Sequence, residues 1–109
     1  MEKQNNKQMT EKSILQLMDL LSERSNDSKL GDEFWAENQE VASALASRLS
    51  ITPLQAVLLS ICLLHGPRNI DYGDISRHLD ISNIRALEYS EELNALIRAR
   101  YLKFHDAKD

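Results

Sequence analysis

Apolar residues recur every three to four positions in the N-terminal half of the chain, a spacing that predicts two amphipathic helices. The first is expected to follow Thr10 as its N-cap, to fade in the polar run 25–28, and to bury Ile14, Leu17, Met18 and Leu21. The second is expected to begin near Gly31–Asp32 and to bury Trp35, Val41, Ala42, Leu45 and Leu49.

A third helix has the clearest start in the sequence. Thr52 is placed as the N-cap, Pro53 as the first helical residue and Gln55 at the third position, which together predict a capping box. The run 54–64 is apolar nearly all round, which predicts a central, buried helix that ends at Gly66 and Pro67.

The C-terminal half has the order of a helix-turn-helix. A short edge strand at 68–71 is followed by a helix at 72–79 that buries Ile75 and Leu79. In the turn 80–82, Ile81 is expected to fill the gap between the helices, and Ser82 to cap the next one. That last helix, about 83–99, is predicted to bury Ile84, Leu87, Leu93, Leu96 and Ile97, and the segment 101–104 to form a strand that begins a wing.

These elements predict a mostly α fold: a winged helix-turn-helix of three helices and a minimal β wing, preceded by two additional helices. An ordinary helical hairpin of a bundle is the alternative. The expected organisation is a disordered lead at 1–11, a two-helix extension at 12–50 and a winged-helix-like domain at 51–109 that forms one structural unit with 12–50. Because residues 105–109 are too few for a returning wing strand, we expect the natural chain to continue beyond Asp109.

Three segments carry a resemblance to a known family: Thr52-Pro53-Leu54-Gln55-Ala56, Asp32-Glu33-Phe34-Trp35, and the hairpin 74–82 that is followed by Tyr101-Leu102-Lys103. Together they resemble the N-terminal region of a group of bacterial AAA-family ATPases, over roughly residues 12–104. The resemblance implies a regulatory or partner-binding domain in front of an ATPase module, which would itself use ATP and magnesium. No phosphate-binding loop with a Gly-Lys-Ser/Thr ending occurs in this chain, and no active-site residue is carried over.

The distribution of charge argues against DNA as the partner. The net charge is −4, and in the last predicted helix Glu88, Glu91 and Glu92 outnumber Arg85 and Arg98. A helix with an acidic surplus is repelled by the phosphates that line a DNA groove. The candidate contact residues for a partner are Asn83 and Arg85 at the start of this helix, Glu88 within it, and the basic group Arg98, Arg100 and Lys103; Arg68 is a candidate to join this group across the wing.

Two further combinations of reactive residues give little support for a metal site or a catalytic site. Cys62 and His65 lie three residues apart with His78 nearby, but the only cysteine of the chain sits in an apolar run, and zinc needs three or four ligands. His105 adds no recognisable spacing. Ser60, His65 and Asp71 have no nucleophile-elbow sequence around them. We therefore expect no catalytic, cofactor or metal site in this region, and a reduced, buried Cys62 in a cytoplasmic protein without a signal peptide or membrane span.

The sequence thus favours a non-catalytic regulatory or protein-interaction domain at the N-terminus of a larger AAA-type ATPase. Its partner would be the chain's own ATPase module or another protein. The alternative is the nucleic-acid-binding winged helix of a transcription regulator. An exposed apolar or acidic patch would favour the first hypothesis, and bases clustered around the last helix and wing would favour the second. Trp35 is expected to be a core residue, and only an exposed Trp35 would indicate docking there.

Overall fold

Helices account for most of the chain in the computed structural model, which describes residues 13–66 and 69–104. The elements follow one another as α1 Ile14–Ser25, α2 Asp32–Leu49, α3 Pro53–His65, β1 Asn69–Ile70, α4 Tyr72–Leu79, α5 Asn83–Ala86, a 3₁₀ helix Leu87–Tyr89, α6 Ser90–Arg98 and β2 Lys103–Phe104. The mostly α class is thereby confirmed. The predicted disordered lead 1–11 lies outside the described residues.

Two capping boxes fix the starts of α1 and α3. At α3 the Thr52 side chain accepts from the Gln55 backbone N–H at 3.1 Å, and the Gln55 side chain accepts from the Thr52 N–H, as predicted. Ser13 and Gln16 make the same reciprocal pair at α1. The described N-cap of α1 is therefore Ser13, and the predicted cap Thr10 lies outside the described residues.

The core forms around α3, which contacts α1, α2, α4 and α6. Every residue from Ala56 to Cys62 of α3 is buried, because its apolar run covers the whole helix circumference. Leu58 and Leu93, expected to be deeply buried, are fully inaccessible, as are Ile75 and Leu79 of α4. The central position predicted for α3 is confirmed.

The aromatic anchor of α2 differs from the prediction. Phe34 is 4% exposed and belongs to the core, whereas Trp35 is only partly buried and packs edge-on against Phe34 with ring centroids 5.1 Å apart. Asn38 is also buried, because its side-chain amide donates to the Phe34 carbonyl and its oxygen accepts from Arg24. The buried face of α2, which was predicted to start at Trp35, therefore starts one residue earlier, at Phe34.

The last predicted helix is not continuous. Residues 83–98 form α5, a 3₁₀ helix and α6 in succession, and the buried positions along them are Ala86, Leu93 and Leu96, with Tyr89 and Ile97 partly buried. The prediction that Ile84 and Leu87 face the core was wrong: they are 78% and 52% exposed. The 3₁₀ helix Leu87–Tyr89 changes the register of α5 relative to α6, and the small residue Ala86 is the buried residue of α5.

The two strands are shorter than predicted. Asn69 pairs with Lys103 and Ile70 with Phe104 in a parallel ladder of two residues per strand. Of the predicted strands, residues 69–70 and 103–104 are paired, whereas Asp71, Tyr101 and Leu102 are not in a strand; Arg68 lies outside the described residues. The returning strand of a wing would fall on or after residues 105–109, which are also outside them.

No helix in the described ranges is long and apolar enough to cross a membrane alone. Helices α2 and α3 pass that test only as a pair, and their axes are bent by 86° at the break between them.

Candidate partner-binding surface

The start of α5 is held in place by hydrogen bonds from both sides of the turn that precedes it. Asp80 ends α4 in the left-handed conformation with φ 62°, and Ser82 caps α5 by accepting from the Arg85 backbone N–H at 3.0 Å. The Ser76 hydroxyl of α4 donates to the Asn83 side-chain oxygen at 2.6 Å. The side chain of Asn83, predicted as a partner contact, is therefore already engaged in joining α4 to α5.

Two exposed aliphatic residues, Ile84 and Leu87, follow Asn83 in the chain. Ile84 and Leu87 stand three residues apart in a helical run, so they lie on the same side of it. With Leu15 and Leu64 they are the large hydrophobic residues that the described ranges expose. The sequence analysis counted both among the apolar core positions of the last helix, but the buried residue at this point is the small residue Ala86. A helical-wheel count from Leu93 would have found this surface.

Charged side chains surround the aliphatic pair. Arg85, Glu88 and Glu91 are exposed. Burial raises the pKa of Tyr89, while Arg85 lowers it and Glu88 raises it, so both charges lie near this ring. Glu92 is different, because its carboxylate accepts from the Gln55 side chain of α3 at 2.9 Å and is partly buried. We call the exposed set Ile84, Arg85, Leu87 and Glu88 the α5 surface.

The three predicted basic contacts form a separate group at the other end of the helical run. Arg98 is the last residue of α6, and Arg100 and Lys103 follow it, all exposed. Arg100 has φ 71° in the turn that ends α6, where its N–H donates to the Ile97 carbonyl and the next N–H to the Leu96 carbonyl. The six predicted contact residues therefore divide into one group at the start of the run 83–98 and one at its end.

Cys62, Ser60 and Asp71 were considered above for zinc binding or nucleophilic chemistry, and the structure shows what surrounds each of them. Cys62 is buried, and desolvation, reinforced by Asp74 and Asp71, raises the pKa of its thiol to about 12. Within the described ranges, no three histidine, cysteine or acidic side chains converge for a metal ion. The Ser60 hydroxyl donates to the Ala56 carbonyl at 2.8 Å, and the Asp71 carboxylate caps α4.

A pocket of about 490 Å³ opens between α1 and α2 and is lined by Arg24, Asn26, Asp27, Ser28, Glu33, Phe34, Glu37 and Asn38. Its side chains are mostly polar, and those of Arg24, Ser28 and Asn38 already hydrogen bond within the protein. It brings together neither a histidine nor a cysteine. The α5 surface, with its two aliphatic side chains, is the stronger candidate for recognition.

Comparison with known proteins gives no relative: no protein-family model, curated protein or solved structure matches the chain.

Proposed function

We propose that this chain is a non-catalytic, winged-helix-like interaction domain at the N-terminus of a larger AAA-type ATPase, and that its α5 surface docks onto the ATPase module of the same protein. The observation that carries the proposal is the exposure of Ile84 and Leu87, at 78% and 52%, beside charged residues of both signs. An aliphatic pair with a charged rim is typical of protein–protein contacts.

Support for the helix-turn-helix part comes from α4, the turn and α5. Ile81 packs partly buried against the core between the two helices, and Ser82 caps the second one, which are the roles that the motif requires. The supporting helix is α3, which contacts both α4 and α6.

The size of the aliphatic pair favours a tethered partner over a free one. Complete burial of an Ile or Leu side chain is worth about 1.5–3 kcal/mol, so burying the exposed fractions of Ile84 and Leu87 would contribute about 2–4 kcal/mol. A micromolar complex of separate molecules needs about 8 kcal/mol. A module on the same chain has an effective concentration near the millimolar range, at which about 4 kcal/mol keeps about half of the molecules docked.

Nucleic acid is the second candidate, and it is favoured by a different observation. Arg98, Arg100 and Lys103 are all exposed near the end of α6, where a wing would contact phosphates. Against it stand the exposed Glu88 and Glu91 and the aliphatic pair on the helix that would enter the groove.

Site-specific photo-crosslinking would test the proposal. The complete natural reading frame is expressed with a photoreactive phenylalanine derivative at position 84, and the matched control carries it at Leu15, which is 74% exposed on α1. The expected result is a crosslink from position 84 to a peptide of the ATPase module, with none from position 15. A reading frame without an ATPase module, or equal crosslinking from both positions, would refute the proposal. Crosslinking to nucleic acid would favour the second candidate.

A further inference from the structure

Two histidines from different helices meet at one end of the core. His65 is the last residue of α3, and its Nε2 atom lies 3.3 Å from Nδ1 of His78 in α4. The two rings are nearly perpendicular, with centroids 5.2 Å apart. His65 is exposed and His78 is only 7% exposed, so one ring is open to solvent while the other lies inside the fold.

Helix α1 fixes the orientation of the buried ring. Nε2 of His78 lies 2.8 Å from the Ser22 carbonyl oxygen and 3.1 Å from the Ser25 hydroxyl. A carbonyl oxygen only accepts, so Nε2 carries the proton and donates it to Ser22. Nδ1 of the neutral ring therefore has a free lone pair, and Nδ1 is the atom that faces His65.

This arrangement of His78 is the one that metal-binding histidines use. Such a histidine usually donates its second ring N–H to a carbonyl or a carboxylate, which fixes both the tautomer and the ring orientation. Burial also lowers the pKa of His78 from its ordinary 6.5; the Ser22 carbonyl and Asp27 raise it, and His65 lowers it. His78 is thus neutral at neutral pH, and the neutral imidazole is the form that binds a metal ion.

The separation of the two nitrogens matches that of two ligands on a tetrahedral zinc ion. Zn–N bonds are about 2.0–2.1 Å long, so two nitrogens at the tetrahedral angle of about 109° lie about 3.3–3.4 Å apart. The observed separation is 3.3 Å. A direct hydrogen bond from a ring N–H is usually shorter, at about 2.7–3.2 Å. The distance therefore suits a shared zinc ion better than a shared proton.

We propose that His65 and His78 bind a zinc ion through Nε2 and Nδ1, with water at the two remaining tetrahedral positions. Zinc is four-coordinate, and water takes the positions that protein atoms leave open. In the metal-free pair Nε2 of His65 donates to Nδ1 of His78. On binding, zinc replaces that proton, and the exposed His65 ring carries its proton on Nδ1 instead, so the neutral pair binds without a net release of protons.

The surroundings of the pair favour a dication. Asp19 and Glu23 of α1 line a cavity of about 360 Å³ together with His78, and Asp27 attracts positive charge to the same ring. The neighbouring cations are engaged elsewhere: Arg77 pairs with Asp74, and Lys29 with Asp80. The carboxylates therefore offset the charge that a bound ion would bring.

The pair differs from the combination considered from the sequence, because Cys62 is not part of it. Burial raises the pKa of the Cys62 thiol to about 12, so the thiol stays protonated and does not act as a ligand. Two protein ligands converge here, and within the described ranges no group of three does. The proposed site is accordingly open to solvent on the side of His65.

Isothermal titration calorimetry with zinc chloride tests the site on the chain itself. The chain is freed of metal with EDTA, dialysed, and titrated at about pH 7.5, about one unit above the ordinary pKa of histidine. The expected result is saturable binding of one zinc ion per chain. Zinc should also raise the melting temperature, because the ligand pair is assembled only in the folded chain. A chain without saturable binding would overturn the proposal.

Two variants locate the binding. His65→Gln should bind zinc at least about tenfold more weakly, because an amide does not replace an imidazole at zinc. This variant keeps the fold, since His65 is exposed and glutamine still donates to Nδ1 of His78. The matched control His105→Gln removes a different histidine and should retain the wild-type affinity. Wild-type affinity in His65→Gln, or its loss in His105→Gln, would contradict the inference.

Nitrogen NMR of the wild-type chain tests the ligand atoms without a substitution. Zinc should shift the ¹⁵N resonances of Nε2 of His65 and Nδ1 of His78, while Nε2 of His78 keeps the proton that it donates to Ser22. A zinc complex in which these two resonances stay unchanged would refute the assignment.

Discussion

Leu93→Ala tests the packing of α6 most sharply. Leu93 is fully buried, and α6 packs on α3, where Leu58 is also fully buried. The substitution removes three carbon atoms, worth about 2.4 kcal/mol at about 0.8 kcal/mol each, and leaves a cavity that adds to the loss. We expect the free energy of unfolding to fall by about 2.5–4 kcal/mol. For a chain of this length, that lowers the melting temperature by about 10–20 °C.

Ile84→Ala is the matched control in the same helical run. Its side chain is 78% exposed, so its removal should change the free energy of unfolding by less than about 0.5 kcal/mol. Urea unfolding followed by circular dichroism and by Trp35 fluorescence gives both values, provided the two probes coincide. A loss below about 0.5 kcal/mol for Leu93→Ala, or equal losses for the two variants, would refute the assignment of the buried face.

Three further predictions concern single residues and charge. Ser50 ends α2 with φ 60°, so Ser50→Gly should raise the free energy of unfolding by about 0.5–1 kcal/mol in urea titrations; a loss would show that the side chain has a role there. Thr52→Ala removes the cap of α3 and should cost about 1 kcal/mol by the same measurement, whereas no change would mean that the capping box contributes nothing. The chain should not bind mixed-sequence duplex DNA below about 1 μM at about 0.15 M salt in fluorescence anisotropy; tighter binding that weakens steeply with salt and is lost in Arg100→Ala would favour the nucleic-acid alternative.

Local signals in the sequence predicted most of the helical fold. The Thr52–Gln55 box and the Ser82 cap each act within one turn of helix, and the apolar run of α3 lies within a single helix, so residues close in sequence determine all three. The strands were less predictable, because a ladder of two residues depends on how segments 69–70 and 103–104 meet in space.

The candidate surface was predicted only in part. Arg85 and Glu88 were identified from charge and are exposed, but the aliphatic residues beside them were assigned to the core as apolar positions of one continuous helix. The contact between His65 and His78 was not predicted at all. It joins residues of α3 and α4 and is completed by Ser22 of α1, and no local pattern encodes such a meeting.

The labelling rate of a cysteine at position 88 tests the central proposal most directly. Cys62 is the only cysteine of the chain, and burial with a thiol pKa of about 12 makes it unreactive towards a maleimide, so Glu88→Cys provides a single reporter on the α5 surface of the isolated chain and retains Ile84 and Leu87. The same substitution is made in the complete natural protein, where peptide mapping isolates the reporter, and Leu15→Cys serves as the control in both. With about half of the molecules docked, labelling at position 88 is expected to be about twofold slower in the complete protein, with position 15 unchanged. Equal rates at position 88 in the two proteins would contradict the proposal.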